Sequence, residues 1–175
     1  EGITLPDSVT TIGASAFRDC QALKNATLSK NLTQIGAEAF YNCIALTGIT
    51  IPDSVRIIRN SAFEKCSALT SIVIPNGVTA IENNTFYSCT NLASVSLPES
   101  LKYISVQAFN DCAALEAINI PSNVAYLGSS AFKGTSLKSF DMPNSVTCVG
   151  SGVFSGTPLT NIAISNSIVT LDDEA

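Results

Sequence analysis

The sequence predicts an α/β repeat solenoid, dominated by β-structure and built from about seven repeats of 22–23 residues. Prolines recur every 23 residues, at Pro52, Pro75, Pro98 and Pro121. Phenylalanine follows almost the same period, at Phe17, Phe40, Phe63, Phe86, Phe109, Phe132 and Phe154. Each repeat holds only about seven apolar positions, too few to close a core within one copy. Stacked copies can bury these positions against one another, which is how repeat proteins obtain a continuous core.

Each repeat is predicted to begin with a short strand. The segment from Leu69 to Ile74 is rich in β-branched residues and alternates apolar and polar positions towards its end. Stacking the copies makes a parallel sheet with about 4.8 Å between neighbouring strands. Pro75 then ends the strand, because proline has no N–H group to donate to the sheet.

The rest of the repeat is predicted to return the chain to the next strand. A Pro-Asp-Ser or Pro-Asn-Gly turn leads into a second short extended segment, as at Val55 to Ile58. Ser61 to Cys66 is too short for a regular helix and is predicted to form one helical or 3₁₀ turn. This turn is one residue shorter in the last two repeats, where Gly134 and Gly156 suit a tighter path.

The composition argues against two classes of partner. Charged residues make up 13% of the chain, and 9 basic residues against 14 acidic ones give a net charge of −5. Because the sequence has no basic stripe with interleaved aromatic residues, nucleic-acid binding is not expected. No apolar run approaches membrane-spanning length, so membrane insertion is not expected either.

Nothing in the sequence points to catalysis. The chain has no histidine, which removes His-dependent triads and imidazole metal ligands. It has neither a Gly-x-x-x-x-Gly-Lys phosphate loop nor a Gly-x-Ser-x-Gly nucleophile elbow. Asp172 and Asp173 are adjacent residues rather than a spaced acid–base pair. We therefore expect no enzyme activity, no cofactor and no metal site.

Residues 1–175 are expected to form a single repeat domain. The chain starts at Glu1 inside one repeat and stops inside another, and neither end carries an evident polar capping unit. The expectation is a fragment of a longer chain, so the lack of a signal peptide carries no information about location.

The combined motif Leu-x-x-Ile-x-Ile-Pro-x-x-Val-x-x-Ile-Gly-x-x-Ala-Phe-x-x-Cys covers nearly all of 3–171. It resembles the BspA-type leucine-rich repeat, also called the treponemal type. The resemblance implies a leucine-rich-repeat horseshoe with the Leu-x-x-Ile-x-Ile strands as a parallel sheet on its concave face. It further implies a surface or secreted protein that binds host proteins. Departures such as Ser29 for proline and Thr85 for alanine are mild.

Five cysteines form another column with the 23-residue period, at Cys20, Cys43, Cys66, Cys89 and Cys112. Three interpretations are open: small buried apolar side chains, a disulfide ladder, or a thiolate metal site. The first is favoured, because neighbours about 4.8 Å apart are poorly placed for the Cβ separation of about 3.8 Å that a disulfide needs. Metal sites favour short Cys-x-x-Cys loops, and the sequence has none. Cys148 stands outside this column and is predicted to be partly exposed.

The concave face is the first candidate for a binding surface, because strand side chains alternate and those between the buried ones point outward. Its first half is a neutral platform of Thr, Ser and Val, and its second half gathers charge. The candidate partner-binding residues are Lys24, Thr27, Thr47, Thr50, Thr70, Val73, Ser96, Glu116, Asn119, Lys138 and Asp141. A bland solvated sheet is the competing interpretation, since the face lacks Trp, Tyr and Arg, which dominate most interfaces.

A secondary patch is predicted on the Val-x-x-Ile segments. Ile57, Ala80, Tyr103 and Tyr126 occupy one column and form an apolar strip, with the two tyrosines stacked side by side, if they are exposed. Partial burial against neighbouring side chains is the alternative.

Three Asn-x-Ser/Thr sequons occur, at Asn25, Asn31 and Asn83. They matter only in a eukaryotic secretory cell. A glycan on Asn25 would obstruct the predicted binding face.

The function that follows is a non-catalytic adhesion or protein-binding module, extracellular or at the cell surface. Its predicted partner is a host or extracellular-matrix protein, and in that setting the module would contribute to virulence. The alternative is a structural spacer or stalk, or a self-associating element, that presents another domain.

Overall fold

The structure is a computed structural model that describes residues 1–175. The chain winds as a solenoid in which each repeat contributes up to two short strands, and every strand pair is parallel. We number the repeats 1 to 7 by their phenylalanines, from Phe17 to Phe154, and an incomplete eighth follows. The parallel solenoid of about seven repeats confirms the architecture predicted from the sequence.

The side of the solenoid that carries the three-residue strands is called the strand face. These strands are β1 (Gly2–Thr4), β3 (Asn25–Thr27), β5 (Gly48–Thr50), β7 (Ser71–Val73), β9 (Ser94–Ser96), β12 (Ser139–Asp141) and β14 (Asn161–Ala163). Each shows its middle residue inward and its outer two residues outward, as the alternation in the sequence predicts. Residues 117–119 of repeat 6 occupy the same place without forming a strand.

The second side consists of the Val-x-x-Ile segments, each of which forms a two-residue strand. These strands are β2 (Thr11–Ile12), β4 (Gln34–Ile35), β6 (Ile57–Ile58), β8 (Ala80–Ile81), β10 (Tyr103–Ile104), β11 (Tyr126–Leu127), β13 (Cys148–Val149) and β15 (Thr170–Leu171). The predicted second extended segment is therefore present in every repeat.

The third side, here called the turn side, holds the phenylalanine column. Six consecutive ring pairs from Phe17 to Phe154 stack with centroids 5.2–6.1 Å apart and planes within 19° of parallel. The five rings from Phe40 to Phe132 are fully buried. They belong to one continuous cluster of 40 buried residues that runs the length of the solenoid. The repeats thus share a single core, as their small size requires.

The turn side contains no helix, so the prediction of helical or 3₁₀ turns was wrong. In repeat 3, Ser61 and Lys65 have φ angles of 55° and 61°, in the left-handed region, which a right-handed helix excludes. Between them, the N–H group of Phe63 donates across to Thr85 O at 3.0 Å in the next repeat. Every second N–H group of this segment therefore donates to the next repeat, and no helical hydrogen-bond ladder forms.

The interpretation of the glycines also needs correction. Gly134 and Gly156 have φ angles of 68° and 71°, but Asp111, in the same column of a longer repeat, has 59°. The left-handed residue is thus a property of every repeat and not a consequence of the shorter turn. Glycine adopts that conformation without steric cost, whereas the other residues carry some strain there.

Candidate binding face

All of the predicted partner-binding residues are exposed on the strand face. These residues are Lys24, Thr27, Thr47, Thr50, Thr70, Val73, Ser96, Glu116, Asn119, Lys138 and Asp141. Val73 has the largest exposed apolar side chain among them, with 65% of its surface accessible. The placement agrees with the alternation of the strands, while their role in binding stays a prediction.

The strand face contains an open depression of about 720 Å³ that spans β3, β5 and β7. Its floor is formed by the buried residues Ala26, Ile49 and Ile72, and its rim includes Thr50 and Val73. The depression therefore combines an apolar floor with a rim that carries Thr and Ser hydroxyls and the carboxylate of Asp53. Apolar and hydrogen-bonding groups are combined in this way in protein interfaces.

Sequence reasoning missed the residues at the first position of each strand, three of which line this depression. They are Asn25, Gly48 and Ser71. Space around Gly48 is open, since a Cβ atom built there would meet nothing within 4 Å. The signal was present in the sequence, because this column holds only small or polar residues: Gly2, Asn25, Gly48, Ser71, Ser94, Ala117, Ser139 and Asn161.

The charged half of the strand face is largely neutralised from within. Lys138 Nζ lies 2.8 Å from Glu116 Oε2, and both side chains are exposed. This hydrogen bond, with the positive charge behind it, lowers the pKa of the Glu116 carboxyl. Asp141 forms no ion pair. This half of the strand face therefore presents one ion pair and one free carboxylate, and the unpaired Lys24 in the first half offsets that carboxylate, so there is little net field to attract a strongly charged partner.

The secondary patch on the second side is only partly assembled. Tyr103 and Tyr126 are neighbours in register, but their rings form no aromatic contact. Tyr103 is 49% exposed and Ile57 36%, whereas Tyr126 and Ala80 are half-buried. Because β6 and β8 belong to different sheets, the strip is also divided between Ile57 and Ala80. Two separated exposed groups remain instead of a continuous apolar strip.

The turn side carries a cluster of cations around Tyr41 that the sequence did not reveal. The Arg18 guanidinium carbon lies 4.2 Å from the centre of the Tyr41 ring, and Lys65 Nζ lies 5.0 Å from it. Lys65 Nζ also donates to the tyrosine hydroxyl at 2.7 Å, and Arg18 is paired with Glu38. Because both cations already interact with side chains of neighbouring repeats, we assign the cluster a stabilising role between repeats.

The cysteine column is buried from Cys43 to Cys112, and all six thiols of the chain are free. Cys66 Sγ donates to Phe40 O at 3.1 Å, and Cys89 Sγ to Phe63 O at 3.0 Å. Burial raises the pKa of Cys43 to about 11, and it also raises the pKa of Cys66 and of Cys89 well above the ordinary value of a thiol. These thiols stay protonated and act as hydrogen-bond donors across repeats, which is unsuited to nucleophilic chemistry. Cys148 is half-buried, as predicted.

No group of three or more Cys, Asp or Glu side chains converges in a way that could hold a metal ion. No helix of the chain has the length and apolar character needed to cross a bilayer.

Comparison with known families gives one match that spans the chain. The model of the BspA type leucine-rich repeat region, in six copies, matches residues 1–88 and 56–175. No curated protein sequence matches the chain.

Solved bacterial structures share the fold. A leucine-rich cell surface protein from Faecalibacterium prausnitzii is 27% identical, with a TM-score of 0.71, over 98% of this chain and 62% of that one. A leucine-rich repeat protein from T. pallidum is 28% identical, with a TM-score of 0.70, over 98% of this chain and 72% of that one. One from Bacteroides ovatus is 29% identical, with a TM-score of 0.53, over 98% and 59%. The chain thus spans about three fifths of the length of the first of these proteins.

Proposed function

The chain belongs to the BspA-type leucine-rich repeat family, and from this membership we propose that it is a non-catalytic protein-binding module of a surface or secreted protein. Its strand face engages a host or extracellular-matrix protein. The similarity to a leucine-rich cell surface protein supports the location outside the cell. Adhesion is the role that combines this location with a binding face.

The observation that carries the proposal is the depression at the centre of the strand face. The second half of the face carries Glu116, Lys138 and Asp141, whereas in the depression Gly48 leaves space beside the apolar side chains of Ile49 and Ile72. Binding energy at protein interfaces is concentrated where a partner side chain fills such a desolvated site. Thr50 and Val73 stand on its rim, so a partner seated there contacts both.

Replacing three strand-face residues with arginine tests this proposal. The triple variant Thr50→Arg, Val73→Arg and Ser96→Arg fills the rim with long charged side chains while leaving the core untouched. Purified collagens, laminin and fibronectin are the probes, and binding is measured by surface plasmon resonance. We expect the variant to lose at least about tenfold in affinity for whichever protein the natural sequence binds, with an unchanged unfolding midpoint.

The matched control places the same charge elsewhere. Thr10→Arg, Asn76→Arg and Thr90→Arg also change exposed residues, away from the strand face, and should leave binding intact. Equal affinity of the two triple variants would reject the strand face as the binding surface. A monomer that binds none of the three probes would instead favour the spacer role.

A further inference from the structure

Two of the three sides of the solenoid lose their backbone hydrogen bonds at one boundary, between repeats 3 and 4. On the strand face, no backbone hydrogen bond joins β5 to β7. On the second side, β6 and β8 belong to different sheets. Every other boundary keeps the second-side ladder. This boundary is therefore different in kind from its neighbours.

The missing bonds are identified by comparison with the next repeat. Lys102 N–H donates to Thr79 O at 2.9 Å, and Ser105 N–H donates to Ile81 O at 2.9 Å. Thr79 and Glu82 hold the same places one repeat earlier, and neither N–H group has an acceptor. Both bonds of the second-side ladder are thus absent at the boundary.

The turn side, in contrast, is continuous across the same boundary. Ser61 N–H donates to Asn83 O at 2.9 Å, and Lys65 N–H donates to Tyr87 O at 2.8 Å. The rings of Phe63 and Phe86 remain stacked, with centroids 5.7 Å apart. Repeats 3 and 4 are therefore joined by backbone bonds along one side only.

The missing ladder coincides with a change in one column of the sequence. The column that begins the turn side is glycine in repeats 1, 2, 6 and 7, and a Cβ atom on Gly36 would lie 2.6 Å from the backbone of Gly13. Arg59, Glu82 and Ser105 occupy this crowded column in repeats 3 to 5. The ladder breaks where the two largest, Arg59 and Glu82, meet. Arg59 beside Gly36 and Ser105 beside Glu82 keep the ladder, with N–H to O distances of 3.0 and 2.9 Å, so the break coincides with two long side chains in adjacent repeats.

Side chains bridge the gap instead of backbone. Glu82 Oε2 accepts the N–H group of Asn60 at 2.9 Å, and Glu82 Oε1 lies 3.2 Å from Arg59 Nη1. Exposed side-chain contacts of this kind are weaker and more adaptable than a backbone ladder.

We infer that the boundary between repeats 3 and 4 is a bending joint of the solenoid. The continuous turn side is the axis, and the strand face and second side open or close around it. The depression lined by Thr47, Gly48, Thr50, Ser71 and Val73 lies across this boundary, so bending changes its width. Hinges of this type place the shape change in a few residues while the flanking bodies stay rigid.

Amide hydrogen exchange measured by NMR tests the absence of the ladder directly. After correction for intrinsic rates, we expect Thr79 and Glu82 to exchange at least about 100-fold faster than Lys102 and Ser105, because unpaired N–H groups need no opening step. The four amides occupy matched places in adjacent repeats. Equal protection within both pairs would overturn the inference.

Distances between spin labels test the bending. Labels on a genetically encoded keto amino acid at Lys30 and Glu99 span the joint over three repeats. Labels at Asn76 and Asn144 span three repeats without it. These four residues are exposed and follow the turn proline or its serine substitute. We expect a distance distribution about twofold broader for the first pair, and equal widths would overturn the inference.

A variant that removes the two crowded side chains sharpens the test. Arg59→Gly together with Glu82→Gly should narrow the first distribution to the width of the second and slow the exchange of Thr79. If this variant does not fold, the comparison of the two label pairs in the natural sequence still decides the inference. An unchanged width in a folded variant would remove the crowded column as the cause.

Discussion

The turn side and the strand face of the same repeats are joined in different ways. On the turn side, three N–H groups of each of repeats 1 to 6 donate to the next repeat, and the phenylalanine rings stack without interruption. On the strand face, the backbone ladder lapses at the boundaries 3/4, 5/6 and 6/7. The cross-repeat bonding that stabilises the stack is thus most complete on the turn side.

The largest expected effect is the loss of a stacked phenylalanine. Phe63→Ala should lower the free energy of unfolding by about 3–5 kcal/mol, because it opens a cavity in a fully buried column. Thr50→Ala on the strand face of the same repeat should change it by less than about 0.5 kcal/mol. Urea denaturation followed by circular dichroism measures both.

Phe17→Ala is the matched control for that experiment. Phe17 belongs to the same column but is half-buried, with a neighbouring ring on one side only. Its loss should cost clearly less than that of Phe63. Equal losses at the two positions would mean that stacking between repeats does not set the stability of the column.

The buried thiols give the turn side a pH dependence in the alkaline range, whereas the Glu116 carboxyl on the strand face responds in the acidic range. The pKa of Cys43 is raised from 9.0 to about 11 by burial, so the folded state holds its proton longer than the unfolded chain does. The contribution is fully present below pH 9 and is lost as pH rises towards 11. In that window each such thiol lowers the free energy of unfolding by about 1.4 kcal/mol per pH unit.

Replacing one thiol at a time tests this dependence. Cys43→Thr should make the decline between pH 9 and 11 shallower by about 1.4 kcal/mol per pH unit while the other buried thiols maintain the rest, and threonine already occupies this column as Thr135 and Thr157. Thr50→Ala on the strand face removes no titratable group and should leave the slope as it is. Unfolding midpoints measured at half-unit pH steps distinguish the two. A slope that neither substitution alters would show that other groups cause the decline.

Glycine substitutions compare the backbones of the two sides. Gly156 on the turn side has a φ angle of 71° and no atom closer than 3.8 Å to an added Cβ, so Gly156→Ala should cost about 1 kcal/mol from backbone strain alone. Gly48 on the strand face has open space and no positive φ angle, so Gly48→Ala should be neutral or stabilising by about 0.5 kcal/mol. Thermal unfolding of both variants measures the difference, and a reversed order would contradict it.

The repeat period predicted most of the architecture, because a column of phenylalanines can be buried only by stacking. The helical turn was wrong for a physical reason. Local propensity favours a helical turn in Ser61 to Cys66, but the chain gains more when the N–H group of Phe63 bonds to the next repeat, and the left-handed residues accept strain for it.

The exposed residues of the candidate site were predictable, whereas its shape was not. Alternation along a strand identifies Thr50 and Val73 as outward-facing in any stacked arrangement. The column of small residues that contains Gly48 was visible in the sequence, but the shape of a depression that spans β3, β5 and β7 follows from how neighbouring repeats fit together. The sequence shows Arg59 and Glu82 in a column that is otherwise mostly glycine. It does not show that this column is crowded, because that depends on the distance between the backbones of neighbouring repeats.

The smallest expected effect is on the strand face itself, at the pair formed by Lys138 and Glu116. Lys138→Ala removes the ammonium group that lowers the pKa of the Glu116 carboxyl, so that pKa should rise towards its ordinary value in an NMR titration. The pair's contribution is present above the unfolded-state pKa of Glu116 and is lost as pH falls through the folded-state value. Since both groups are exposed and screened, the unfolding midpoint at neutral pH should barely move.

Lys24→Ala removes an exposed lysine of the same column without an ion-pair partner, and it should leave the Glu116 titration unchanged. A large loss of stability from Lys138→Ala would show that side-chain contacts on the strand face also stabilise the solenoid, and it would contradict the conclusion that the turn side contributes most.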